Sequence, residues 1–199
     1  MPKVGMEPVR RRQIIEAVMD CIHSEGFENT SLKAIARYAG VAPSHILYYF
    51  GDKNAVIAAV YRHLYVRLGA ATRVRLKQSS SPLDRLNAVL EAQVSAEMVT
   101  PRVVATWFAI SAQAMNTPAL ARLEKINTRR MTSNIVHDLR SLGFRRNDAR
   151  TLSLEYLAMV YGLWTLLAHG TVSNADDARN ILRRFLEARL SSQKIAQPN

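Results

Sequence analysis

Residues 30–56 read TSLKAIARYAGVAPSHILYYFGDKNAV, and this stretch decides the fold of the N-terminal part of the chain. From Leu32 to Ala39 the apolar residues recur at the spacing of one helix face, and a hydroxyl residue at position 30 or 31 can cap that helix. Gly40 ends it, and Pro43 suits the first turn of a second short helix, where its missing N–H costs nothing. Two short helices joined by a glycine turn predict a helix-turn-helix.

The second short helix divides its side chains between two faces. Ile46 and Phe50 are four residues apart and Leu47 lies beside them, so we expect these three to close a small core with Ile22 and the first short helix. The other face carries a polar and aromatic ridge, formed by Ser44, His45, Tyr48 and Tyr49. Such a helix fits the major groove of B-DNA, where its serine and histidine can hydrogen-bond to base edges. The tyrosine hydroxyls and a nearby lysine would hold phosphates.

The rest of the chain is also predicted to be helical. Glycine is sparse, with eight residues, and alternation typical of strands is hard to find. Apolar periodicity predicts further helices at about 10–25, 53–77, 82–98, 101–115, 118–142, 147–169 and 175–190. We therefore expect an all-α protein with a helix-turn-helix DNA-binding domain at 1–53, a larger helical domain at 54–192, and a tail at 193–199.

The charge of the chain favours a polyanionic partner but does not locate its site. The formal net charge is +11 and the isoelectric point lies near 10.3. Residues 1–53 hold seven Lys and Arg against six Asp and Glu, a net of +1, so the other +10 lies downstream. The local placement of side chains must therefore identify the DNA-binding surface. A nonspecific nucleic-acid binder remains an alternative on charge alone.

Motifs of other classes of protein are missing from the sequence. The five histidines show no metal-ligand spacing, and neither a Gly-rich phosphate loop nor a G-x-S-x-G nucleophile motif is present. We expect no catalytic residue, no metal and no cofactor. The single cysteine, Cys21, allows no internal disulfide. Without an apolar signal-peptide core or a run of about 20 apolar residues, the expected location is the cytoplasm, away from the membrane.

The stretch at 30–56 strongly resembles the DNA-binding domain of TetR-type transcriptional repressors. The matching features are the T-[ST]-x3-I-A-x2-A-G-V core, the Tyr49-Phe50 pair and the lysine that opens the next helix. This resemblance covers about residues 10–60, and it implies a dimer that binds a palindromic operator and whose body binds a small molecule. Many members have a tyrosine where this chain has Leu47, so a contact there is lost or replaced. The family's DNA contacts would fall on Ser31, Lys33, Pro43, Ser44, His45, Tyr48, Tyr49 and Lys53.

A closer resemblance, to the choline-sensing repressors of glycine-betaine synthesis, covers most of the chain. It rests on MPKVGMEPVRRRQII at 1–15, TPALARLEKINTRRMTSNIV at 117–136 and YGLW at 161–164. In that subfamily an acidic residue tends to precede Gly-Leu-Trp, whereas this chain has Tyr161. The resemblance implies choline or a related quaternary amine as effector, while Tyr161 keeps a different apolar or aromatic effector open.

The effector pocket is expected between the helices at 101–115, 118–142 and 147–169. Aromatic faces attract a quaternary ammonium through cation–π interactions, and Glu97 or Glu155 could add a charge. Aromatic residues at helical spacing also fit a structural core, and that reading stays open. The candidate ligand-binding residues are Trp107, Phe108, Met115, Tyr156, Tyr161 and Trp164.

Dimerisation is expected through the last two long helices. A single short reading helix gives weak specificity, and two-fold symmetry doubles the contacts on a palindrome. The two helices would form a four-helix interface with those of the partner, unless their apolar residues only complete the core of one protomer. The candidate interface residues are Leu152, Leu163, Leu166, Leu167, Ile181, Leu182 and Phe185.

Overall fold

The computed structural model describes residues 6–196, and every regular element within that range is an α-helix. This confirms the predicted all-α class. The helices are α1 (Met6–Glu25), α2 (Leu32–Ala39), α3 (Pro43–Phe50), α4 (Lys53–Leu76), α5 (Pro82–Gln93), α6 (Pro101–Ala114), α7 (Pro118–Ser141), α8 (Arg146–Ala168) and α9 (Ala175–Ala196).

Three predicted helix limits were wrong. Helix α1 begins at Met6 rather than near 10. Helix α5 ends at Gln93 rather than near 98, because the chain turns at Ser95, whose carbonyl accepts hydrogen bonds from the N–H groups of Met98 and Val99. Helix α9 continues to Ala196, through residues with adequate helix propensity, so the predicted tail at 193–199 starts as helix. The remainder of that tail, 197–199, lies outside the described residues, as does the N-terminal part of the resemblance at 1–5.

Local sequence explains the helix-turn-helix. The Ser31 hydroxyl accepts a hydrogen bond from the N–H of Ala34 at 3.1 Å, which caps α2. Gly40 ends α2 at φ 63°, a left-handed conformation that costs glycine little, and Pro43 opens α3 as predicted. Helices α1, α2 and α3 contact one another.

The predicted core of this module is correct except at one position. Ile22, Ile35 and Ile46 are buried, and Phe50 is half-buried. Leu47 was expected beside them, but its side chain is 43% exposed. Only the face of α3 that carries Ile46 is covered by the other two helices, and Leu47 lies one residue, or about 100° of rotation, away from it.

The chain forms two compact units. The first consists of residues up to 66 together with 101–125, and the second of residues 67–100 together with those from 126 onwards. Helix α4 begins at Lys53, next to the predicted domain boundary, which stays a prediction.

The core of the second unit includes α5, α8 and α9. The Tyr156 hydroxyl donates to the carbonyl of Leu182 at 3.0 Å, and the Trp164 indole N–H donates to the carbonyl of Gln93 at 2.8 Å. Among the described helices, α8 alone is long and apolar enough to cross a membrane by length and composition. Two of its three large aromatic residues, Tyr156 and Trp164, are instead buried and hydrogen-bonded to α9 and α5, as in the core helix of a bundle, and Tyr161 is half-buried.

Candidate functional site

Helix α3 presents the predicted ridge to solvent. Ser44 and His45 lie exposed in its first turn, and Tyr48 follows one turn later with 72% of its surface exposed. Tyr49 is half-buried, and its ring packs edge-on against that of Tyr48 at 5.1 Å between centroids. Ile46 is fully buried and anchors the helix from the opposite side. A short, anchored helix with polar groups in its exposed first turn can enter a DNA groove.

The other predicted DNA contacts surround this ridge. Pro43 and Lys33 are exposed, and the Nζ of Lys53 lies 5.4 Å from the centre of the Phe27 ring. The Ser31 oxygen accepts the cap hydrogen bond of α2, which leaves its hydroxyl proton able to donate to a phosphate. These positions stay predictions as contacts. Ser31, Lys33 and Pro43 are exposed, as such contacts require, whereas Lys53 is half-buried.

Helix α1 holds both short helices in place. Arg11 donates a hydrogen bond to the backbone carbonyl of Tyr49, and its guanidinium lies 4.2 Å from the centre of the Phe50 ring. The Gln13 side chain donates to the carbonyl of Ala39 at 2.7 Å. Both bonds satisfy carbonyls at the last turn of a helix, where no backbone partner follows. A shift of α1 therefore changes the position of the reading helix.

Two cationic side chains beside α3 were not singled out from sequence. A cleft of about 900 Å³ in the first unit is lined by Arg10 of α1 and Arg37 of α2, together with His45 and both ridge tyrosines. Arg10 also hydrogen-bonds to Gln13 at 2.8 Å, and Arg37 pairs with Glu25. The sequence shows their charge but not their place, because only the folded module brings α1 and α2 to the side of α3.

The candidate ligand-binding residues fall into both units. Trp107, Phe108 and Met115 belong to the first, and only Trp107 is buried there; Phe108 is 36% exposed and Met115 is 86% exposed. The other three candidates belong to the second unit, where burial raises the pKa of the Tyr156 hydroxyl above its usual range and keeps it neutral. Tyr161 is half-buried, with its ring edge-on to that of Trp164.

Both carboxylates proposed for the pocket are engaged by arginines. Glu97 is exposed and lies 3.8 Å from Arg75, and Glu155 lies 2.6 Å from Arg189. Because each carboxylate is already paired with an arginine, its negative charge is neutralised and attracts a cationic effector less strongly.

An aromatic cluster around Trp107 was missed from sequence. The ring of Trp107 lies 4.8 Å from that of Tyr65 and 5.6 Å from that of Tyr61, and the two tyrosines are 5.0 Å apart. The Tyr65 hydroxyl donates to the carboxylate of Glu124 at 3.0 Å. We call Tyr61, Tyr65, Trp107 and Glu124 the aromatic cluster. The i, i+4 spacing of the tyrosines on α4 was a visible signal, but it did not indicate which other helices would meet them.

An ionic contact joins α1 to α6 within the first unit. Arg102 pairs with Glu16 and, at 2.6 Å, with Asp20, and His63 of α4 lies 3.2 Å from the Glu16 carboxylate. Burial lowers the pKa of Arg102, but hydrogen bonds to Asp20 and Glu16 outweigh it and raise that pKa overall. The guanidinium is therefore a permanent charge that connects α1, which holds the reading helix, to the helix that carries Trp107.

The candidate dimer residues do not share one environment. Leu152, Leu163 and Leu182 are buried within the second unit, so they complete its core rather than face a partner. Leu167 and Phe185 are half-buried. Leu166 and Ile181 are about two-fifths exposed, at 40% and 41%, and Leu154, which was not predicted, is 52% exposed.

Family models match both parts of the chain. Residues 14–60 match the bacterial regulatory proteins of the tetR family, and residues 82–191 match the C-terminal domain of BetI-type transcriptional repressors. The HTH-type transcriptional regulator BetI of Pseudomonas paraeruginosa is 36% identical over 196 residues, which are 97% of this chain and 99% of that protein.

Solved structures share the fold. A TetR-like transcriptional regulator from Rhodococcus sp. RHA1 matches with a TM-score of 0.74 and 22% identity over 100% of both chains. A protein from Saccharomonospora viridis, solved in complex with choline, matches with a TM-score of 0.78 and 22% identity, over 90% of this chain and 96% of that one. At these identities the structural likeness shows the fold alone.

Proposed function

The chain belongs to the TetR family of bacterial regulatory proteins and has a BetI-type C-terminal domain, and from this premise we propose that it is a dimeric repressor that choline or a related quaternary amine releases from a palindromic operator. The family makes it a DNA-binding transcriptional regulator rather than an enzyme. As such it acts on chromosomal DNA in the cytoplasm.

The observation that carries the DNA-binding proposal is the anchored ridge of α3. Ser44 and His45 are exposed in the first turn, whereas Ile46 between the ridge and the module is completely buried. Ser44 and His45 read base edges in the major groove, and they determine which operator is bound. Contacts to phosphate set the position of the helix without reading sequence. The residues for those contacts are Ser31, Lys33, Tyr48, Tyr49 and Lys53, with Arg10 and Arg37 beside them. Pro43 has no N–H to donate, so it contacts the DNA by packing alone.

The dimer forms through the exposed faces of α8 and α9. Leu154, Gly162 and Leu166 of α8 are exposed along one side of the helix, and Ile181 of α9 is exposed as well. Apolar side chains spaced along a helix face are costly in water and are covered in an isologous helix pair. Two reading helices related by a two-fold axis would then contact the two halves of a palindrome.

Choline is favoured as effector by the BetI-type C-terminal match and by the choline complex of the Saccharomonospora viridis protein. The same match favours a role in controlling glycine-betaine synthesis. Tyr161 stands before Gly-Leu-Trp in place of the acidic residue expected in that subfamily. A regulator of another pathway with a different apolar or aromatic effector is therefore the alternative.

The test uses the full chain and the DNA upstream of its own gene. Fluorescence anisotropy measures binding to that DNA and to random competitor at several salt concentrations, and equal affinity for both would contradict sequence-specific repression. Choline, betaine aldehyde and an unrelated amine are then added. Release by the first two supports the proposal, release by none contradicts the effector, and release by the unrelated amine alone favours the alternative.

Two variants separate base reading from phosphate binding. We expect His45→Ala to reduce the preference for the operator over random DNA, because it removes a group that reads bases. Lys53→Ala should weaken binding to both DNAs and lower the slope of log affinity against log salt by about 1. Unchanged selectivity in His45→Ala would remove this residue from the reading surface.

A further inference from the structure

The aromatic cluster combines three rings and a carboxylate within the first unit. Tyr61 is completely buried, Trp107 is 3% exposed, and Tyr65 and Glu124 are half-buried. The cluster therefore has a deep wall of two rings and an outer edge formed by one ring and one acidic group. Three helices supply it, because the tyrosines lie on α4, Trp107 lies on α6 and Glu124 lies on α7.

This combination fits one class of ligand. A quaternary ammonium has no N–H to donate, so it is recognised by the negative faces of aromatic rings and by a nearby carboxylate. A neutral apolar ligand would gain nothing from Glu124, and an anion would be repelled by it. We propose that the aromatic cluster of Tyr61, Tyr65, Trp107 and Glu124 binds the quaternary ammonium group of the effector. The inference deepens the proposed function and rests on it.

The cluster as observed is closed. Its rings are in contact, at 4.8 to 5.6 Å between centroids, so a ligand can enter only when one ring moves aside. Tyr65 is the ring that moves, because it is half-buried while the other two are held inside. In the closed state its hydroxyl donates to Glu124 at 3.0 Å. The ammonium group takes the place of that hydroxyl beside the carboxylate.

The position of the cluster connects it to the reading helix. Trp107 lies on α6 five residues after Arg102, which binds Glu16 and Asp20 of α1. Helix α1 in turn hydrogen-bonds to the last turns of α2 and α3 through Gln13 and Arg11. All of these groups belong to the first unit. The ammonium group that enters beside Trp107 shifts α6 relative to α4, and Arg102 passes that movement to α1.

Calorimetric titration of the full-length protein with choline tests the site. The comparison ligand is the uncharged carbon isostere of choline, in which a tert-butyl group replaces the trimethylammonium group. We expect choline to bind at least about tenfold more tightly than the isostere, because only choline gains the cation–π and carboxylate attraction. Equal affinity for the two would overturn the proposal.

Three variants locate the charge recognition. Glu124→Gln keeps the shape and removes the charge, and it should weaken choline binding about tenfold without affecting the isostere. Trp107→Leu should also weaken choline binding, whereas Tyr65→Phe should strengthen it about threefold, because the competing hydroxyl is gone. The matched control is Glu187→Gln, at an exposed position of α9, which should leave choline affinity unchanged. Unfolding curves and operator affinity show that each variant is folded.

The outcomes separate this inference from the proposed function. If choline releases the wild-type protein from DNA but Glu124→Gln binds choline normally, the aromatic cluster is not the site and the repressor proposal stands. If Glu155→Gln loses choline binding instead, the ammonium group lies in the second unit, and the inference is again wrong. If the wild type binds neither choline nor tetramethylammonium, the effector assignment and this site fail together, while operator binding remains as a separate result.

Discussion

Two tyrosine pairs of the first unit have nearly the same distance between ring centroids and opposite surroundings. The rings of Tyr48 and Tyr49 on α3 are 5.1 Å apart, and those of Tyr61 and Tyr65 on α4 are 5.0 Å apart. Tyr48 is 72% exposed, whereas Tyr61 has no exposed surface. The difference comes from what packs over each helix. Helix α3 is covered on one side only, whereas Trp107 of α6 covers the pair on α4.

This contrast shows how one unit can carry two kinds of recognition. Exposed tyrosines on a short helix are available to a large rigid partner such as DNA, which cannot enter a cavity. Buried tyrosines beside a carboxylate are available only to a small ligand that displaces one of them. The substitutions below test whether the two regions differ as described, in order of decreasing effect on the free energy of unfolding.

The largest effect is expected at the buried face of α3. Ile46→Ala should lower the free energy of unfolding by about 3 kcal/mol, because it leaves a cavity in the three-helix core. The adjacent Leu47→Ala is the matched control and should change it by less than about 0.5 kcal/mol, since that side chain is 43% exposed. Denaturant titration of both variants measures the difference. Similar losses would mean that both faces of α3 are packed.

Much of the DNA-binding module was predictable because its determinants are local. Glycine at 40 and proline at 43 fix the turn, and the side chains of α3 divide into faces within eight residues of sequence. Leu47 shows the limit of that reasoning. Spacing places Leu47 near Ile46 and Phe50. The width of the buried face of α3, however, depends on how α1 and α2 pack against it, and the sequence of α3 alone does not determine that packing.

The aromatic cluster was less predictable, because its members are far apart in the chain. Trp107 was recognised as a candidate in a pocket expected between the helices at 101–115, 118–142 and 147–169, and the tyrosines of α4 were not considered as its neighbours. Nothing in the periodicity of a single helix indicates which tyrosine meets a tryptophan 42 to 46 residues later. The burial of Trp107, by contrast, follows from its place on the apolar face of α6.

The next effect is expected at Arg102, which connects the two regions. Arg102→Gln should lower the free energy of unfolding by about 1.5 kcal/mol, since it removes two ion pairs whose side chains are 29% to 46% exposed and partly screened. The functional effect should be larger. Choline should bind the variant as tightly as it binds the wild type, but it should dissociate the variant from the operator poorly. Calorimetry and anisotropy measure the two steps. Arg62→Gln, exposed on α4, is the control and should leave both unchanged.

Normal release by Arg102→Gln would mean that the signal reaches α1 by another contact. A loss of choline affinity equal to the loss of release would instead place Arg102 in the binding step. Only impaired release at unchanged affinity identifies it as the connection between the aromatic cluster and α1.

The smallest effect compares one hydroxyl from each pair. Tyr65→Phe removes the hydrogen bond to Glu124 and should lower the free energy of unfolding by about 1 kcal/mol, whereas Tyr48→Phe should change it by less than about 0.5 kcal/mol. If the Tyr65 hydroxyl competes with the ligand, its hydrogen bond stabilises the protein only while the cluster is closed and no ligand is bound. The difference in free energy of unfolding between Tyr65→Phe and wild type should then shrink at saturating choline. Bound choline stabilises the native state of both proteins, and it stabilises the variant more because the variant binds choline more tightly. A difference that stays constant as choline is added would show that this hydroxyl stabilises the fold without guarding the site.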